Sequence, residues 1–185
     1  MKKLILEALK LCMEDYDKNN VFIMYENDIT MRIFYVFYKN KIPICCQDQV
    51  GSHYNDLNVL GNKKEGIWHS VEVKRSNINR SFEDSRKNYP KATKWIVSFW
   101  EEMSSVPRNK TLEEIKKKII NGKHIIIHGT EWGKNEIKNL MENAKKSGFK
   151  LIKHNNLNKP KWKLLLIYSQ KHKPTLEIIG YTGKN

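Results

Sequence analysis

Cysteine is scarce in this chain: three residues, Cys12, Cys45 and Cys46, among 185. Their number is odd, two of them are adjacent, and no Cys-x-x-Cys spacing occurs. A disulfide scaffold and a structural zinc site are therefore excluded, and buried thiols in a reducing cytoplasm are expected. Long apolar runs are missing as well. No stretch approaches the roughly 20 apolar residues that a membrane-spanning helix needs. Residues 1–11 are amphipathic and carry no small-residue cleavage site, so they read as a helix of the fold and not as a signal segment. No internal repeat or low-complexity linker divides the chain. A single domain over 1–185 is expected, large enough to bury a core without covalent staples. Acids are few: 20 Asp and Glu stand against 34 Lys and Arg, a formal charge of +14. A polyanionic partner, nucleic acid, is the simplest reason for such an excess, with a merely solubilising lysine-rich surface as the alternative.

What is present is the apolar spacing of an α/β chain. Leu4, Ala8, Leu11 and Cys12 mark a first helix. Glu26–Lys39 forms a second, with Ile29, Ile33, Val36 and Phe37 as its apolar stripe and Glu26 one turn ahead on that side. Strands are expected over 42–50, from Asp56 through Leu60, and over 67–74, 94–100, 124–128, 149–154, 162–169 and 176–181. A short polar helix over 79–89 stops at Pro90. Thr111 with Glu114 reads as a capping box for a helix ended by Gly122. Ile137, Leu140, Met141 and Ala144 mark another helix, closed by Gly148. Trp95 and Trp100 are assigned to the core.

Chemistry concentrates in residues 54–75. Asp56 opens the run Leu57-Asn58-Val59-Leu60, a polar turn follows, and the next run ends in Glu72-Val73-Lys74. Read as a β-hairpin, this sets Asp56 at the mouth of one strand and the Glu-x-Lys pair at the end of the next. Alternation aims Glu72 and Lys74 one way and Val71 and Val73 into the core. Two carboxylates and an ammonium then converge, a pattern suited to a hard divalent cation and to phosphodiester cleavage. An exposed hairpin with a simple Glu–Lys pair is the plainer reading.

From Glu26 to Trp100 the order is helix, strand, strand, strand, helix, strand. With Asp at the second strand and Glu-x-Lys at the third, it resembles the PD-(D/E)XK nuclease superfamily, home to type II restriction endonucleases, Holliday-junction resolvases and repair nucleases. The resemblance covers a core over 20–100 and leaves 101–185 as a C-terminal elaboration. It implies a restriction-endonuclease-like mixed β-sheet flanked by helices. Asp56 stands at the family's first acid, with Asn55 in place of proline; Glu72 stands at the second acid and Lys74 at the lysine. Glu26 matches the acid that many members carry on the first core helix.

The implied function is a Mg2+-dependent DNA endonuclease, with Mn2+ able to substitute. Asp56, Glu72, the Val73 carbonyl and Glu26 would hold metal, and Lys74 would orient or help deprotonate the attacking water. Asp28 competes with Glu26 but points away from the apolar stripe. Asp48 is a weaker stand-in for Asp56, because the Gly51-Ser52-His53 loop separates it from the hairpin. The length of the C-terminal part favours a restriction endonuclease, with a junction resolvase or repair nuclease as alternatives. A non-catalytic nucleic-acid-binding protein is the alternative of another class. Cutting two strands implies a symmetric homodimer, joined through the N-terminal helix or the strands after Phe149.

Candidate DNA contacts are Lys63 and Lys64 in the hairpin turn, Arg75 and Ser76 beyond the motif, and Arg80, Arg86 and Lys87 on the helix that follows. Lys161 and Lys163 join them from the cation-and-aromatic segment 158–163, and Lys171-His172-Lys173 has a similar character. Ordinary solvated charge explains each of these positions equally well. The six histidines show no ligand spacing, and His53 and His69 read as structural or exposed.

Overall fold

The computed structural model describes residues 1–18, 23, 25–50, 53–60, 68–75, 93–100, 106–121, 124–154 and 160–181. In chain order these form α1 (Lys2–Lys18), α2 (Glu26–Lys39), β1 (Ile44–Val50), β2 (His53–Leu60), β3 (Trp68–Lys74), β4 (Thr93–Trp100), α3 (Asn109–Asn121), β5 (His124–Thr130), α4 (Lys134–Lys146), β6 (Lys150–His154), β7 (Trp162–Gln170) and β8 (Lys173–Tyr181). The eight strands make one mixed sheet in the order β1-β2-β3-β4-β5-β7-β8-β6. β1, β2 and β3 form an antiparallel meander. β3, β4 and β5 then run parallel, which requires long crossovers, and α3 lies within the one between β4 and β5. β7 returns antiparallel beside β5 and β8, and β6 closes the far edge parallel to β8.

Apolar residues alternate along the central strands and feed two cores. Ile29, Ile33, Val36 and Phe37 of α2 pack with Ile5, Leu9 and Met13 of α1 over Val71, Val73, Val97 and Ile127 on one face. On the other, Leu112 and Ile115 of α3 and Leu140 and Ala144 of α4 cover Ile96, Ile126, Leu165 and Ile178. Burial on both faces explains why β4 reads as a nearly continuous apolar run.

Several boundaries depart from the sequence expectation for identifiable reasons. β1 begins at Ile44, since the Lys41 and Ile42 N–H groups bond back to the Tyr38 and Phe37 carbonyls and belong to the exit of α2. α3 begins at Asn109, and the Leu112 N–H donates to the Arg108 carbonyl. Thr111 is therefore inside the first turn, and the Thr111–Glu114 pair is not a capping box. β8 begins at Lys173, because Lys171 and His172, with φ of 50° and 60°, make a two-residue turn that pairs Gln170 with Lys173. The Lys171-His172-Lys173 segment is thus a tight hairpin and not an open loop. α4 ends as expected: Gly148, at φ 77°, lets the Phe149 N–H reach the Ala144 carbonyl. The expected helix over 79–89 and Gly122 lie outside the described residues. Among the described residues, no helix is long and apolar enough to cross a membrane.

Candidate active site

The β2–β3 register sets Leu57 across from Val71. The ladder ends at that pair, and the next residue of each strand, Asp56 and Glu72, lies close enough for the two carboxylates to interact. Val71 and Val73 point the other way and are fully buried under α1 and α2. Asp56 Oδ2 accepts the Val73 N–H at 2.6 Å, taking the place of a ladder partner where β2 and β3 diverge. Burial raises the Asp56 carboxyl above its ordinary range. The Val73 hydrogen bond opposes that rise, and Glu72 repulsion adds to it.

Glu72 is 5% exposed. Its Oε1 lies 3.0 Å from Lys74 Nζ, while its Oε2 is buried with no hydrogen-bond partner among the described residues. Lys74 Nζ also lies 3.4 Å from Glu26 Oε2, so the ammonium bridges two carboxylates. Burial pulls the Lys74 ammonium down. The charge and hydrogen bond of Glu72, then Glu26 and Asp56, outweigh it and hold the group above the usual lysine value. Glu26 opens α2, and its Oε1 accepts the Arg75 N–H at 3.3 Å, tying the helix start to the end of β3. Asp28, the competitor for that role, accepts the Tyr25 N–H at 2.9 Å and serves the helix terminus.

The other expected positions separate. Arg75 donates through Nε to the Ile23 carbonyl, and its guanidinium lies 4.8 Å from the Trp100 ring centroid. It is a tether between the entry of α2 and β4, and Trp100 is half-buried beneath it instead of sitting in the core. Lys161 is held by Asp17 at 2.5 Å and Glu131 at 3.1 Å, over the Tyr16 and Trp162 rings. Lys163 is a correction: it is 5% exposed inside β7, and its Nζ donates to the Lys161 carbonyl. Trp162 begins that strand, so alternation and packing carry the lysine stem inward. Lys63, Lys64, Ser76, Arg80, Arg86 and Lys87 lie outside the described residues. Asp48 pairs across β1–β2 with Asn55. His69 accepts the Trp95 Nε1–H through Nδ1 at 3.2 Å, a structural role.

Two features escaped the sequence reading. Lys74 is in register with Ser98, and Ser98 with His128, across three parallel strands. Ser98 Oγ lies 2.7 Å from His128 Nδ1, both residues being fully buried. The second is an exposed stripe on α2, Met31, Tyr35 and Tyr38, whose i, i+4, i+7 spacing was visible but overshadowed by the apolar stripe opposite.

A hard divalent cation is compatible with the donors present. Asp56 and Glu72 supply carboxylate oxygens, and the orphaned Glu72 Oε2 is an acceptor that burial makes costly to leave unmet. Among the described residues, no group of three or more His, Cys, Asp or Glu side chains is placed to hold a metal ion. Mg2+ does not require one, because it keeps several waters and takes oxygens from its substrate. No protein-family model matches the chain, and no curated protein or solved structure is significantly similar to it.

Proposed function

We propose that this protein is a Mg2+-dependent DNA endonuclease of the PD-(D/E)XK type. The observation that carries the reading is the Asp56 carboxylate held at 2.6 Å on the Val73 N–H next to Glu72, with the Lys74 ammonium 3.0 Å from Glu72 and one Glu72 oxygen left unmet. The order of α2, the β1–β3 meander and the parallel β4 is also the order the resemblance implies. The +14 charge supplies attraction for the DNA backbone.

Asp56 and Glu72 would hold the ion, with Glu26 beside them. The Val73 carbonyl leaves its strand on the same side as the N–H that meets Asp56, so it would join them. A bound Mg2+ supplies Lewis-acid polarisation of the phosphate and an activated water. The Val73 N–H fixes one Asp56 oxygen and leaves the other to the site. The Lys74 ammonium offsets charge gathering on the scissile phosphate and orients the attacking water. The described residues beyond 105 build α3, α4 and β5–β8, which complete the sheet and its second helical face, so the length of this part is no argument for a separate recognition part. The choice among restriction endonuclease, junction resolvase and repair nuclease therefore rests on the substrate. A two-fold dimer would bring one site to each strand.

A non-catalytic nucleic-acid-binding protein is the second reading. It is favoured by the Lys74 ion pairs, which already neutralise part of the acidic cluster. Supercoiled plasmid and a four-way junction, each incubated with Mg2+, Mn2+, Ca2+ or EDTA, separate the two. Mg2+ and Mn2+ are expected to support cutting, and Ca2+ binding with little cutting, since its looser geometry activates water poorly. Undiminished cutting in EDTA would remove the metal from the account. Binding without cutting under every condition would establish the second reading.

A further inference from the structure

We propose that the groove between the last turn of α2 and the start of β1 seats an unpaired nucleotide, so that the protein grips a single DNA strand outside its candidate active site. The inference rests on the nuclease reading for the identity of its polymer, and goes beyond it in naming the form of the substrate.

The face of α2 opposite its buried stripe is unusually apolar for a surface. Met31 is 60% exposed, Tyr35 54% and Tyr38 71%. The Tyr38 ring stacks on Phe34 with centroids 6.3 Å apart and planes 9° from parallel, leaving its outer face to solvent. The stack forms one wall of an open groove of about 550 Å³, lined also by Lys39, Lys41, Pro43 and Ile44 and, among the described residues, by no acidic one. A flat ring beside two ammonium groups suits a base with its flanking phosphates. Such platforms hold single strands whatever their sequence, because every base offers a π-face. A base within a duplex has both faces covered and does not fit.

The backbone supplies a second, independent observation. The Lys41 N–H donates to the Tyr38 carbonyl at 2.9 Å, and the Ile42 N–H to the Phe37 carbonyl at 3.0 Å, which closes α2 in a Schellman motif. The residue at the left-handed position of that motif is usually glycine. Here it is Lys41, at φ 56°. The chain holds a lysine where its side chain carries a conformational penalty, and the lysine stands at the rim of the groove.

The groove lies nearly one helix length from Glu26. Glu26 is at the first residue of α2 and Tyr38 near its last, with Met31 and Tyr35 between. At a rise of about 1.5 Å per residue the two ends are roughly 18 Å apart. That distance is at most about five nucleotides, since an unpaired strand extends beyond the duplex rise of about 3.4 Å per nucleotide.

The test uses fluorescence anisotropy of the full chain in Ca2+, with a short oligodeoxythymidine and a blunt duplex as probes. Tyr38→Ala should weaken oligodeoxythymidine binding about tenfold and leave duplex binding unchanged, while Tyr38→Phe retains both. Lys41→Gly should weaken single-strand binding yet raise the melting temperature by roughly 2–4 °C, because glycine relieves the left-handed strain. Those opposite directions distinguish a ligand contact from a structural one. Should the wild type bind duplex while Tyr38→Ala binds oligodeoxythymidine equally well, the groove is not a nucleotide seat and the nuclease reading stands. Binding of neither probe by the wild type overturns both. Loss of self-association in Tyr38→Ala, with unchanged DNA binding, would make the stripe a subunit contact and overturn the proposal.

Discussion

Replacing Lys74 with alanine is expected to lower DNA cleavage by about a thousandfold, the scale of losing a preorganised charge aimed at the reacting group. DNA affinity should stay near that of wild type, because many phosphate contacts share the binding and one half-buried lysine contributes little of it. Lys74 is bracketed by Glu72 at 3.0 Å and Glu26 at 3.4 Å. Its removal leaves the buried Glu72 without its ion-pair partner, so some stability is lost, and a melting curve must accompany the rate. Single-turnover cleavage of a labelled duplex, with anisotropy for binding, separates the two effects. Asp56→Ala should bind DNA at least as tightly as wild type, since a negative charge near phosphate is gone. A Lys74→Ala variant that cuts at the normal rate would move the chemistry elsewhere.

The largest effect on stability is expected from acid. His128 is fully buried, and burial alone pushes its imidazole from 6.5 down to about 3. Its Nδ1 meets Ser98 Oγ, and its Nε2 has no hydrogen-bond partner among the described residues. The Trp132 ring lies 5.8 Å away in the core beneath α3 and α4. The folded value is depressed, so the unfolded chain takes up the proton first. The associated stability is fully present above pH 6.5 and is lost as pH falls toward 3. The loss runs at about 1.4 kcal/mol per pH unit, or roughly 2 kcal/mol at pH 5. His69, also depressed by burial, adds in the same direction. Urea unfolding from pH 7.5 to pH 4.5 measures the slope. His128→Gln is expected to be less stable at neutral pH but to show a flatter dependence, and equal slopes would remove His128 as the cause.

The parts legible in the sequence were those governed by local period. The α2 stripe and the alternation of Val71 and Val73 against Glu72 and Lys74 each followed from spacing within one element. Asp56 and Glu72 could be paired because a hairpin joins neighbouring strands and fixes which residues meet. The Ser98–His128 contact depends on the parallel register of β4 and β5, which no local pattern encodes. Lys163 was counted among the DNA contacts because a lysine beside tryptophan looks like a nucleic-acid segment. Yet Lys161 and Trp162 spend their polar groups on Asp17 of α1, a contact between chain segments far apart. The connection at Lys171-His172 was expected but not its tightness, because neither residue carries the Asn-Gly signature of a two-residue hairpin. Arg75 lies next to the motif, but its partners, Ile23 and Trp100, come from elements that only the folded sheet brings together.

The account depends most on Glu72, the buried acid whose second oxygen is unmet. Gln keeps its shape and removes the charge that a cation needs. The decisive measurement is the Mg2+-dependent cleavage rate of Glu72→Gln beside wild type on the same labelled DNA, with melting temperatures recorded for both. The structure-based expectation is metal-dependent cutting by the wild type and a loss of about a thousandfold or more in the variant, which should remain folded. A folded Glu72→Gln protein that cuts at the wild-type rate would contradict the assignment of the Asp56–Glu72 pair as the catalytic centre.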